Sequence, residues 1–196
     1  MTSGPPPAAG AILGWRLVPP VQGANATAEQ REAMAGFHAA RGTDGQPLPD
    51  LFSLLFNAPE AAGLLAAVTA YCRFESSLSP LLREVALLAS CYATGFEYEV
   101  RHHEPTALAA GLGEGDLRSL REGAWTVLAP EVAVVAALSR AVALGASLRG
   151  TALEAQVRKA LSPREIVDVT VTAAAYRALQ CAGAVLTSME DLVCPS

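Results

Sequence analysis

The sequence has little of several things, and each shortage excludes a class of function. Aromatic residues make up 6% of the 196 residues and charged residues 17%. Lys and Arg total 14 and form no run, so the electrostatic footprint of a nucleic-acid or anionic-membrane surface is missing. There are four cysteines, at 72, 91, 181 and 194, and the closest two are thirteen residues apart. No CxxC exists, which excludes a zinc ribbon and a CxxC redox pair. The opening, MTSGPPPAAGAILGW, lacks a basic n-region and is not expected to be a signal peptide. The most apolar long stretch, Ile166 to Met189, is broken by Asp168 and Arg177, so no membrane span is expected. A cytoplasmic protein with reduced thiols follows as the expectation.

What is present is Ala, Leu and Val. Hydrophobic residues reach 52% and the net charge is −5. A chain of this size and apolarity buries a core without disulfides or metal. Few aromatics and abundant Ala suit close-packed helices in a single all-α domain. Residues 1–26, rich in Pro and Gly, read as an N-terminal arm with Trp15 and Leu17 as anchors, and residues 27–196 as the helical domain.

Start signals punctuate the domain. Thr27 with Gln30 forms a capping-box pattern for a helix to about Ala40. Asp50 is placed to cap a short turn, Leu51 to Phe56, and Pro59 suits the first position of a helix to about Phe74. Ser79-Pro80 opens a helix so apolar that it must be central, interrupted at Gly95. A second helix is expected from Phe96 to Ala110, kinked at Pro105, which cannot donate to the carbonyl of Arg101. Residues 114–122 and Pro130 to Leu148 read as further helices. Thr151 with Glu154 and Ser162-Pro163 with Glu165 are two more capping boxes, the last opening a helix to about Glu190. The β-branched run Asp168-Val-Thr-Val-Thr lies inside that capped apolar pattern and is kept helical.

The chemistry-bearing residues cluster in FEYEVRHHE. Glu99 and His103 are four apart and share a helix face, and Glu97 and Arg101 share another, as expected of a solvent ion pair. Glu84 heads the apolar helix. Spacing alone leaves it open whether Glu84 sits in an exposed first turn, where it favours the helix dipole, or is buried and paired. In one straight helix Glu84 and Glu99 would lie roughly 22 Å apart. They meet only if the chain turns between them, which Gly95 permits. His38, alone near the end of the first helix, reads as a surface residue.

These spacings carry a resemblance. The segment Leu78 to Leu120 resembles the core of the carboxymuconolactone decarboxylase and alkylhydroperoxidase D superfamily. Its pattern is a Glu in an Arg-Glu pair, further positions twelve and fifteen residues on, and a His nineteen on. Here these are Glu84, Phe96, Glu99 and His103, followed by an Ala-rich turn to Gly111-Leu112. The run Arg164-Glu-Ile-Val-Asp with Tyr176 is similar to the family's second half, so the likeness extends over most of residues 45–190.

The resemblance implies an alkylhydroperoxidase D-like helical fold and a homo-oligomer, as dimer, trimer or hexamer. The peroxidase branch has Cys at the two middle positions. Phe96 and Glu99 stand there instead, so the likeness is to the decarboxylase-type branch. It implies metal-free, cofactor-free acid/base chemistry of lyase type on a small carboxylated lactone or keto acid. Glu84, Glu99 and His103 would be catalytic, with His103 as general acid/base. His102, Tyr98 and Phe96 would contact substrate. Three alternatives stand beside it: a peroxidase-related protein using another thiol such as Cys91, a metal site drawing on Glu84, Glu99, His102 and His103, and a non-enzymatic oligomeric binding module.

Overall fold

The computed structural model describes residues 16–188. Trp15 and Cys194 lie outside them. Among the described residues there are nine α-helices and no strand, only a single bridge between Arg16 and Thr187. The helices are α1 (Ala28–Ala39), α2 (Asp50–Leu55), α3 (Pro59–Ala70), α4 (Pro80–Thr94), α5 (Glu97–Ala109), α6 (Glu114–Glu122), α7 (Pro130–Ala143), α8 (Ala152–Ala160) and α9 (Pro163–Leu186). The all-α reading holds.

Four of the nine helix starts, those of α1, α4, α8 and α9, carry a side-chain cap. Thr27 and Gln30 bond each other's backbone N–H groups, as do Ser162 and Glu165. Ser79 accepts from the Leu82 N–H, with Pro80 in the first turn. Five expectations need correction here. Asp50 is the first residue of α2 rather than its cap, and its carbonyl accepts from the Ser53 hydroxyl. Glu154 reaches back to the Gly150 N–H, not to that of Thr151, so the box at α8 is half closed. Helix α7 stops at Ala143 because the chain turns at Gly145 with φ +67°, a conformation glycine alone adopts freely. Glu97 and Arg101 are exposed and form no ion pair among the described residues. Leu17 is no side-chain anchor, being 57% exposed. Its N–H bonds the Leu186 carbonyl, and Val21 and Ala26 are the buried residues of that segment.

Helix α4 is the axis of the molecule, packed against α5, α6, α7 and α9. It is buried from Glu84 to Cys91 without a break, as its apolar run requires. On one side Val85, Leu88, Val135, Leu138 and Val169 form a core with α6, α7 and α8. On the other, Leu87 and Cys91 meet Phe37, Phe52, Phe56, Phe96 and Leu179, closing over α1, α2 and α3. Helix α9 has the length and composition of a membrane span, but 44% of its most apolar window is buried inside the molecule, and it packs on α4 and α7.

Two local departures prepare the site. Gly95 takes φ +70° and caps α4, and Phe96, the very next residue, is the N-cap of α5, so α4 and α5 form a tight helical hairpin. Helix α3 does not run on to Phe74 as a regular helix. Its last turn widens into a π-helical segment, Tyr71–Glu75, of a kind found mostly as single turns at functional sites.

Candidate active site

The Gly95 hairpin brings α5 back along α4, and the three acid/base residues meet. His103 Nδ1 lies 2.7 Å from Glu84 Oε2, and His103 Nε2 lies 3.3 Å from Glu99 Oε2. All three are buried, with His103 1% exposed, Glu84 5% and Glu99 8%. Glu84 is therefore no exposed first-turn residue. The imidazole is held between two carboxylates, one on each ring nitrogen.

Its surroundings favour the charged form. Burial by itself favours a neutral imidazole, but the hydrogen bonds and charges of Glu84 and Glu99 outweigh it and raise the His103 pKa above the ordinary histidine value. An imidazolium donates from both nitrogens, which is what two flanking carboxylates need. Nδ1 is hydrogen-bonded to Glu84 and Nε2 is ion-paired with Glu99, so the two carboxylates lie on opposite sides of the ring rather than around one point. Among the described residues no three His, Cys, Asp or Glu side chains group as metal ligands.

The arrangement opens on a cavity of about 360 Å³. Its walls come from six places in the chain: Phe37 and Arg41 near α1, the loop residues Thr43, Gln46, Pro47 and Pro49, Phe52 on α2, Thr69 and the π segment's Arg73 and Phe74, Tyr98, Glu99, His102 and His103 on α5, and Tyr176 on α9. Its size falls in the usual range for small-molecule sites, about 300–1,000 Å³. Glu84 is not in the wall and backs His103 from behind. Glu99 is in the wall, and among the described residues only His103 bonds it.

The expected contact residues divide. Tyr98 and His102 line the cavity. Burial and the neighbouring His103 charge lower the His102 pKa, so it is the neutral imidazole of the pair. Phe96 does not line the cavity. It is fully buried in the core, stacked against Tyr98 at 6.1 Å.

The structure adds residues that spacing did not single out as site residues. Tyr176 is 3% exposed and meets the His103 ring edge-on at 5.6 Å. Its hydroxyl has no hydrogen-bond partner among the described residues, and burial together with the Glu99 charge pushes its pKa well up, so it stays a neutral donor. Arg41 and Arg73 supply two positive charges to the wall. Both lie far in sequence from the FEYEVRHHE run, and only the fold brings them there.

Cys91 is 1% exposed in the core behind the site, and burial drives its pKa well above the ordinary thiol value, with Glu99 and Glu97 adding to the effect. It is not the low-pKa, accessible thiol that peroxide chemistry requires.

Comparison with known proteins agrees with the central motif. Residues 59–143 match the model of the carboxymuconolactone decarboxylase family. That stretch contains α3, the π segment, and the α4–α5 hairpin with Glu84, Glu99 and His103. It stops before Arg164 to Tyr176, so the likeness read in that second segment rests on the sequence pattern alone. No curated protein matches the chain.

Proposed function

We propose, for a chain whose residues 59–143 belong to the carboxymuconolactone decarboxylase family, that the cavity performs acid/base chemistry on a small carboxylated lactone or keto acid. The observation that carries this reading is the buried Glu84–His103–Glu99 array ending at the wall of an open cavity.

Loss of carbon dioxide from such an acid leaves an electron pair delocalised onto a neighbouring carbonyl. The site then has to hold the resulting enolate and protonate carbon. Glu99 and His103 both line the cavity, and with each His103 ring nitrogen turned to a carboxylate, Glu99 is the member of the array left to meet a substrate. Protonated from the His103 imidazolium, it delivers that proton to carbon, and His103 regains one from solvent or substrate. Glu84 keeps the imidazole oriented and charged. The transferring group is then Glu99 and the relay His103, the reverse of the roles that the resemblance implies. The neutral Tyr176 hydroxyl is the donor for the enolate oxygen, since Tyr176 lines the cavity and a positioned neutral donor stabilises developing charge. None of these steps calls on a metal or organic cofactor.

The cavity is not filled by side chains, which favours a ligand site over a purely structural module. We further take the protein to act in the cytoplasm as a homo-oligomer. Leu64 and Val68, four apart on α3 and 72% and 39% exposed, offer apolar surface for such contacts. Light scattering checks the oligomer, and a monomeric mass at micromolar concentration contradicts it.

The experiment for the chemistry is carbon dioxide release and deuterium incorporation in D2O across small lactone carboxylates and keto acids. With a substrate found, Glu99→Gln and His103→Gln lower kcat by about 10²–10⁴. Unchanged turnover in both variants overturns the reading.

A further inference from the structure

The chain has eleven Phe, Tyr and Trp residues, and five of them, Phe37, Phe52, Phe74, Tyr98 and Tyr176, line this one cavity. In so aromatic-poor a sequence that concentration is a feature of the site, not of the core in general. Flat rings on several walls favour a flat, polarisable ligand, which stacks or packs edge-on without stranding polar groups.

The two arginines are not equivalent. Arg41 is committed to the wall. Its guanidinium donates to the Ala66 carbonyl at 2.9 Å and the Thr69 hydroxyl at 2.7 Å, and it lies over the Phe37 ring at 3.9 Å. Arg73, lifted into the wall by the π segment, makes no hydrogen bond or ion pair among the described residues. Its guanidinium lies 5.4 Å from the centre of the Phe74 ring. The charge of Arg73 is nevertheless felt across the cavity. Burial, and then repulsion from Arg73, lower the Arg41 pKa to about 10. Two guanidinium groups that repel each other, with no carboxylate bonded to either, define a place where an anion relieves the strain. With the buried Glu84–His103 pair set aside, the wall carries Arg41 and Arg73 against Glu99. One positive charge is left over, which one carboxylate neutralises.

We infer that the cavity binds a planar, conjugated monocarboxylate, with its carboxylate on the free Arg73 fork and its plane against the aromatic walls. The inference rests on the reading of this cavity as the substrate site, and it assigns Arg73 as the residue that selects an acid over its neutral analogue. Arg73 is a binding residue here and takes no part in the proton transfer.

The test uses the full chain and three probes, read by calorimetry or ligand-observed NMR: benzoate, its neutral isostere benzamide, and the non-planar cyclohexanecarboxylate. Benzoate is expected to bind about tenfold or more tightly than benzamide, and more tightly than cyclohexanecarboxylate. Arg73→Gln removes that preference by weakening benzoate to the benzamide level while leaving benzamide unchanged. Arg73→Lys restores part of it, and Arg149→Gln, at an exposed position outside the cavity, changes nothing. A thermal melt of Arg73→Gln checks folding, and little change is expected because the side chain makes no hydrogen bond or ion pair among the described residues. Equal affinity for benzoate and benzamide, an Arg73→Gln variant that binds benzoate as wild type does, or no saturable benzoate binding overturns the anchor. Equal affinity for benzoate and cyclohexanecarboxylate overturns the planarity. The acid/base reading fails on a different readout, the turnover of Glu99→Gln and His103→Gln, so the two ideas fall separately.

Discussion

Replacing Glu84 by Gln tests whether the buried array is a charged pair or merely a contact. The substitution keeps shape and an acceptor oxygen but removes the negative charge 2.7 Å from His103 Nδ1. An exposed ion pair is worth about 0–1 kcal/mol, and this pair is not exposed, with His103 at 1% and Glu84 at 5%. A hydrogen bond to a charged group contributes about 1.5–3 kcal/mol. Truncating one partner of a buried pair costs more, about 3–5 kcal/mol, when the remaining charge is stranded. His103 escapes that fate by losing its proton and keeps Glu99, so the lower range applies, about 2 kcal/mol. For a chain of this size that is a fall in Tm of about 4–8 °C.

The pH dependence gives the sign. The folded-state pKa of His103 is raised, so its contribution to stability is complete below the unfolded value near 6.5 and disappears as pH climbs through the folded value. The deficit of Glu84→Gln is therefore largest near pH 6 and shrinks toward alkaline pH. Calorimetric or chemical melts of both proteins across that window read it directly. A variant within about a degree of wild type near pH 6, or a deficit that grows with pH, refutes the reasoning.

Other consequences follow from the same geometry. Asp168 is 2% exposed and accepts from the Tyr71 hydroxyl and from both the backbone and the hydroxyl of Ser77, tying the π segment to α9. Its burial alone disfavours the charge, but these bonds outweigh it and lower its pKa. Asp168→Asn is expected to cost about 1.5–3 kcal/mol in urea melts at neutral pH, a difference that fades as pH falls through the folded carboxyl pKa. Gly95→Ala places a side chain at φ +70° with open space around it, so backbone strain alone acts, about 1–2 kcal/mol, read as a shift in denaturant midpoint. Leu88→Ala, at the centre of α4 with no exposure, opens a core cavity and costs about 2–5 kcal/mol by the same assay.

How much of this was legible in the sequence depends on distance along the chain. The caps at Thr27, Ser79 and Ser162 are local chemistry, and the helices they open start where that chemistry puts them. The hairpin was half legible. Gly95 marked the turn, but only packing shows that α5 folds back far enough to set His103 on Glu84. The π segment was not legible, because Tyr71–Glu75 continues the apolar pattern of α3 and differs only in its hydrogen bonding. Phe96 was misplaced for a related reason. It occupies a motif position, but as the cap residue of α5 it turns into the core instead of the cavity. Arg41, Arg73 and Tyr176 were beyond any local pattern, since the cavity gathers them from α1's end, the π segment and α9.

The most direct test of the account is the titration of the His103 ring by NMR, followed through its side-chain nitrogen and carbon shifts. The account predicts an imidazolium that persists above the ordinary histidine range, with both ring nitrogens protonated at neutral pH, and a lower midpoint in Glu84→Gln and in Glu99→Gln. A His103 that is neutral at pH 6 in the wild-type protein contradicts it, and with it the proton path from the array to the cavity.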